Sequence, residues 1–373
     1  MSRAREFADL AGSADAGGLT GRNLIINGAM QVAQRSTSTS SVSSGFTYPA
    51  VDRLGFNVNN GGTWTVSQST DTPSGQGFGN SFKLDCTTAD TSLGAADFLQ
   101  AKMRLEANTL QGLAYNTSSA KNTTLSFWVK SAKTGTYIVE WLNEDASNKH
   151  IAKTYTIDSA NTWEKKEITI PGDTAGVINN DNGKGMELTW WLGAGSNFTS
   201  SGSLQTSWGS LDQTSRAVGV VNLADSTSND WYITGIQWEV GQKATPFEHQ
   251  SFGDVLKQCE RYYEKTYPYA TAPGTAHSYD SIMPIRINGL NDTGSQQKYL
   301  VTRLRTEKRA SPTTTYYNEA GNSGRCTTYD GGGTADNGIN IGLSISGTSM
   351  QGFGPSNGTH AGISCFMEHD AEL

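Results

Sequence analysis

Four cysteines in 373 residues are too few to staple a chain of this length. Cys86, Cys259, Cys326 and Cys365 form neither a CxxC pair nor a Cys/His cluster at metal-ligand spacing. They read as buried free thiols, which suits assembly in a reducing cytoplasm. Charge is also scarce: charged residues make up 17% and the formal net charge is −7. Nothing supplies the basic stripe that phosphate contacts need, which argues against a nucleic-acid partner. The one basic-rich stretch, Arg303-Leu304-Arg305-Thr306-Glu307-Lys308-Arg309, reads as a solvated edge strand whose charges block strand addition. No run approaches ~20 apolar residues, and the N-terminus lacks a basic start, an apolar stretch and a small-residue cleavage site. The expectation is a soluble chain, not exported by the usual route, with no membrane insertion.

Chemical motifs are equally thin. No G-x-S-x-G stands between a strand and a helix, and no Gly-rich stretch is followed by a helix as a P-loop or dinucleotide fingerprint requires. His150, His249, His277, His360 and His369 include no pair at ligand spacing, so neither a metal nor a cofactor is expected. Glycosidase chemistry needs two carboxyls facing each other roughly 5 to 9.5 Å apart. Glu140, Glu144, Asp145, Glu187 and Glu239 lie on or beside expected strands, and they read as outward solubilising charges. The expectation is a non-enzyme.

What is present is small, polar and aromatic. Forty-two Gly accompany nine Trp, fourteen Tyr and twelve Phe, more aromatic surface than disordered segments hold. Short aromatic and β-branched runs alternate with turn residues. Leu125, Phe127 and Val129 alternate with Ser126, Trp128 and Lys130, the period of a half-buried strand. Similar runs recur from Asn23 to Gly28 and around Trp64, then from Thr136, Lys153, Lys165, Met186, Ala217 and Trp231. Ser36 to Ser44 reads as an exposed loop.

The pattern predicts an all-β chain: an antiparallel, jelly-roll-like β-sandwich over 23–250, a connecting helix over 251–266, and a second, smaller β-domain over 267–373. Ser251 caps the helix and Asp254 completes an approximate capping box. Phe252, Val255, Leu256, Cys259 and Tyr263 share its apolar face. Residues 1–22 are set apart. A short helix over 2–11 either finds a partner for its apolar face or frays.

Aromatic faces match the polarised C–H patches of sugar rings, although Trp is also a good core filler. Trp190 and Trp191 must point to opposite faces of one strand, which leaves Trp191 open to a ligand or an interface. Trp208, in a polar run, is the best loop aromatic, and Trp141 completes the candidate carbohydrate-binding set.

Several segments resemble tail-fibre and other virion proteins of tailed phages, of marine or cyanophage type. They are Asn23-Leu24-Ile25-Ile26-Asn27-Gly28 through Arg35 with Val51-Asp52-Arg53, and Thr234-Gly235-Ile236-Gln237-Trp238-Glu239-Val240-Gly241 with Ala244-Thr245-Pro246-Phe247-Glu248. Ser251 to Lys265, Arg309 to Tyr316, Asp370 to Leu373 and the first nine residues extend the match. The middle, 125–171, is similar to jelly-roll carbohydrate-binding modules. The resemblance implies a homotrimer in the virion tail. Its N-terminal segment (Arg3, Arg5, Phe7, Leu10) would dock on an adaptor or nozzle protein, and its distal domain would meet a host-surface glycan or lipopolysaccharide. A free carbohydrate-binding module and a capsule depolymerase are the competing readings.

Overall fold

The computed structural model describes residues 21–277, 285–288, 299–330, 333–337, 342–345, 349–353 and 360–373. The chain divides into two compact units, one built mainly on 37–252 and the other mainly on 253–372.

The first unit is a β-sandwich made from one folded sheet. Its strands are β1 (Ser38–Thr47), β2 (Gly55–Ser69), β3 (Ser81–Thr88), β4 (Phe98–Glu106), β5 (Thr123–Ser131), β6 (Gly135–Asn143), β7 (Lys149–Ile157), β8 (Glu164–Ile170), β9 (Lys184–Ala194), β10 (Gly209–Ser210) and β11 (Asp230–Val240). They run antiparallel in the order β10-β7-β6-β9-β4-β2-β3-β11-β5-β8, with β1 on β2. The two layers of the expected sandwich are present, and β2 explains why they are continuous. Its first part pairs with β4 through Gly55 to Asn59. Its last part pairs with β3 from Thr63 to Ser69. Between them Asn60 and Gly62 take positive φ of 49° and 77°, a conformation that Gly adopts without a Cβ penalty. The strand bends there and feeds both layers. β1 pairs with β2 on both sides of the bend, so the serine- and threonine-rich segment expected as a loop is an edge strand.

Ring contacts between strands that are not sheet neighbours show the layers face to face. Phe127 of β5 lies 5.8 Å from Trp190 of β9 and 5.2 Å from Tyr155 of β7. Trp64, Trp141, Trp190, Trp231 and Trp238 are fully buried in this core. Alternation placed Leu125, Phe127 and Val129 inside, and all three are buried.

Two corrections concern expected strands. Ala217 to Asn222 is not a strand; its apolar residues cover the outside of the sheet, as described below. Asn23 to Gly28 is not a strand either. It forms a clasp with β11 and the residues after it. The Leu24 N–H donates to the Trp238 carbonyl and the Ile236 N–H to that of Gly28, each at 2.9 Å. Asn23 Nδ2 donates to the Ile236 carbonyl at 3.1 Å, while its Oδ1 accepts from the Ile25 and Trp238 N–H groups at 3.0 and 3.1 Å. Glu248 accepts the Arg22 and Asn23 N–H groups at 3.0 Å each. A Cβ on Gly28 would stand 2.1 Å from the Ile236 carbonyl oxygen, so only glycine fits. The opening segment and the closing strand of the resemblance are therefore the two halves of one hydrogen-bonded closure.

In the second unit the helix α1 spans Phe252–Glu260. The expected helix to 266 stops earlier because Tyr263–Lys265 forms β12 and pairs with the last strand, His360–Asp370. Val255 and Cys259 are buried, but Phe252 is 43% exposed. The basic stretch is not a solvated strand. Lys308 is 2% exposed, with Nζ 2.6 Å from Glu264, and Arg305 Nη1 lies 2.9 Å from Glu260. A buried cation such as Lys308 persists only when paired, whereas Arg305 is exposed. The three cysteines whose side chains are described, Cys86, Cys259 and Cys365, are buried. The expected anchor residues Arg3, Arg5, Phe7 and Leu10 lie outside the described residues.

Candidate functional site

Of the three tryptophans singled out by sequence, two have no surface to offer. Trp141 and Trp191 are both 0% exposed. Trp141 points into the sandwich core. Trp191 does face the opposite way from Trp190, as the alternation required, but it is roofed over. Trp208 is half-buried: its Nε1 donates to the Pro171 carbonyl at 2.7 Å, and its ring meets Tyr115 edge-on at 5.8 Å. Sequence counted on outward-pointing or loop positions being open, and segment 195–222 decides otherwise.

That segment lies against the outside of β6, β7 and β9. Phe198, Leu204, Ala217 and Val220 pack with Trp191, Ile138 and Ala152, and the Phe198 and Trp191 rings are 5.2 Å apart. Beneath it Glu140, fully buried, takes two hydrogen bonds from Arg216 Nε and Nη2, both 2.8 Å. Trp191 Nε1 donates to it at 2.9 Å, and His150 Nδ1 lies 2.9 Å away. Burial alone would raise the Glu140 carboxyl; the Arg216 charge and these hydrogen bonds outweigh it and hold the group at about 2. Farther along the same face Glu187 meets Lys102 at 2.7 Å and Arg104 at 3.1 Å. Burial again pushes upward and the Lys102 charge prevails, so Glu187 also sits at about 2. The remaining acids are structural as well: Glu144 pairs with Lys184, Asp145 holds the Asn179 N–H, and Glu239 accepts from Thr245 within the clasp.

The other outward face, formed by β8, β5, β11 and β3, is open only in part. Thr124, Ser126, Tyr232 and Thr234 are buried, and Thr234 Oγ1 donates to the Asn80 carbonyl at 2.7 Å. Lys83, Trp128, Lys130 and Trp163 reach solvent. Pairing sets Lys130 opposite Tyr232, Tyr232 opposite Lys83, and Trp128 between Thr234 and Lys165. Trp163 enters at the start of β8. Trp128 and Trp163 are half-exposed, and the Trp163 and Tyr232 rings stand 6.1 Å apart. Lys130 Nζ lies 4.3 Å from the Tyr232 ring centre. Asp71 accepts from Trp163 Nε1 at 2.9 Å and pairs with Lys130. Burial works against the Asp71 anion, but those two donors prevail and lower its pKa. Tyr232 is raised to about 12 by burial and by the Asp230 charge, so its phenol stays protonated and donates to Asp230 at 3.1 Å.

This row combines half-exposed indole faces with carboxylate acceptors and ammonium donors, which is the chemistry that recognises polyhydroxylated ligands. The signal for Trp128 was present in the sequence, because it shares the polar side of β5 with Ser126 and Lys130 and alternates with Phe127 and Val129. The signal for Trp163 was absent, since no strand pairing was known.

No family model matches the chain, and no curated protein matches it. Several solved structures do. One is the enzymatically active domain of tailspike protein 4 from Bacteriophage CBA120, at TM-score 0.31 and 13% identity, covering 59% of this chain and 21% of that one. The match thus spans about a fifth of the tailspike chain. Another is the family 11 carbohydrate-binding module from Clostridium thermocellum, in complex with a β-1,3-1,4-mixed-linked tetrasaccharide. Its TM-score is 0.29 and its identity 11%, covering 56% of this chain and 99% of that one. TmCBM61 in complex with β-1,4-galactotriose matches at TM-score 0.28 and 10% identity, covering 59% and 100%. At such scores the role of this chain rests on its own residues.

Proposed function

We propose that this chain is a non-catalytic structural component of a phage-tail-type particle that binds host-surface glycan through the partly open sandwich face on which Trp128 and Trp163 flank the buried Tyr232. The observation that carries the glycan part is the row itself. Two half-exposed indoles share it with Lys83, Lys130, Lys165, Asp71, Asp85, Glu167 and Asp230, offering stacking faces and hydroxyl partners together. The particle part is supported by the resemblance of 23–35 and 234–248 to tail proteins. Homotrimer formation and docking through the N-terminal segment 1–22 belong to this reading. Residues 21–23 are clasp residues, so a deletion of 1–20 tests docking without opening the sandwich; the deleted protein should fold and fail to join the particle.

The non-catalytic part is supported by the chemistry of Glu140 and Glu187. A glycosidase general acid needs a carboxyl raised toward neutrality, whereas both of these are ionised and already engaged by cations. Reducing-end release from host polysaccharide by the purified protein would overturn it.

The row also suits a free carbohydrate-binding module. Glycan-array binding by wild type and its loss in Trp163→Ala test recognition under either reading; recovery of the protein in purified particles separates the two. A Trp163→Ala variant that binds as wild type does would remove the assigned face.

A further inference from the structure

The ion pairs on the open face limit what kind of glycan it can take. Each ammonium in the row is already committed to a carboxylate. Lys130 pairs with Asp71, Lys83 with Asp85 at 3.0 Å, and Lys165 with Glu167 at 2.7 Å. Asp230, which accepts from Tyr232, adds a fourth carboxylate to three ammonium groups. Asp71, Asp85 and Glu167 side chains are 43%, 43% and 48% exposed, against 12%, 26% and 38% for their lysine partners. The carboxylates are thus proportionally more exposed than the lysines they pair with, and across the row an approaching ligand meets four carboxylates against three ammonium groups. The whole chain is also acidic, at −7. An anionic sugar would have to displace a carboxylate from each lysine it wished to use, while a neutral sugar donates its hydroxyls to the exposed carboxylates and lays its C–H face on an indole.

We infer that this face selects uncharged glycans and discriminates against uronate-, sulfate- or phosphate-bearing ones. The inference rests on the recognition reading above and narrows its ligand class. The same geometry makes binding of a neutral glycan nearly independent of ionic strength, since no net charge is neutralised on association.

The test uses the full chain against two probe sets. Laminarin, galactan and mannan are neutral; polygalacturonate, alginate and dextran sulfate are acidic. The expected result is binding to at least one neutral polymer, lost in Trp163→Ala and changed less than about twofold when salt rises from roughly 0.05 to 0.5 M. Binding confined to the acidic polymers and weakened by salt would overturn the inference and leave the recognition reading standing. Binding to neither set would overturn the recognition reading and the inference with it. The double variant Asp85→Asn, Glu167→Gln frees Lys83 and Lys165 and should gain roughly tenfold in affinity for polygalacturonate, about 1.4 kcal/mol. An unchanged affinity in that variant would show that the carboxylates are not what excludes acidic sugars.

Discussion

On one outward face of the sandwich, Trp191 and Glu140 lie under residues 195–222 and have no solvent-exposed surface. On the other, Trp128 and Trp163 stand half-exposed among ion pairs whose carboxylates reach water. Both faces come from the same alternation of apolar and polar residues, and both pair aromatics with charged groups. They differ in how far a connecting segment comes back across the sheet. Residues 195–222 cover Trp191 completely. The segment after β2 reaches Thr234 through Asn80 and Lys130 through Asp71 but leaves Trp128 and Trp163 in contact with water. Where the cover is complete, polar groups must satisfy one another, and Glu140 collects donors from three residues on β7, β9 and the covering segment. Where it is not, water completes the hydrogen bonding and a ligand can replace that water. A buried charge cluster contributes specificity of structure; an open one is available for binding.

The largest way to break this comparison is Arg216→Ala, which leaves Glu140 buried without its main partner. A loss of about 3–5 kcal/mol in urea unfolding is expected, against a loss under about 1 kcal/mol for Trp163→Ala on the open face. Equal losses would mean the two faces are not energetically distinct. The double variant Arg216→Met, Glu140→Gln should recover most of the stability, since both charges leave together.

Acid sharpens the contrast next. Glu140 and Glu187 are held at about 2 in the folded protein, below their ordinary value, so their stabilisation is complete above about pH 4.5 and is lost as pH falls toward 2. Urea midpoints measured from neutral pH downward should drop through that window. The drop should shrink in the Arg216→Met, Glu140→Gln variant and persist in Trp163→Ala.

On the open face, Trp163→Ala should weaken binding of its glycan at least about tenfold, about 1.4 kcal/mol, with calorimetry as the measurement. The smallest effect is expected from Asp71→Asn. The amide keeps an acceptor for Trp163 Nε1 but loses the Lys130 ion pair, and affinity should fall only about twofold, with stability changed by less than ~0.5 kcal/mol.

Much of the architecture was legible in the sequence. Leu125, Phe127 and Val129 gave the inward face of β5 because a strand has a strict period of two. The same rule split Trp190 from Trp191 correctly. The helix after the sandwich was visible from Ser251 and its apolar spacing, but its end was not, because the pull of β12 into a sheet is a contact with residues about a hundred positions away. The clasp was legible only as a pattern: Asn23, Gly28, Trp238 and Glu248 stood out as a family-like signature, with no indication that they bond to one another.

The site was less legible. Trp141, Trp191 and Trp208 were chosen by type and local context, and neither reports what covers a residue. Local sequence determined strand, turn and facing direction, because those follow from backbone sterics and side-chain period. Only the tertiary structure decided which outward face stays wet, because that depends on where segment 195–222 returns. Its apolar residues Phe198, Ala217 and Val220 find their hydrophobic partners on the Trp191 face, and Trp128 and Trp163 on the other keep contact with solvent.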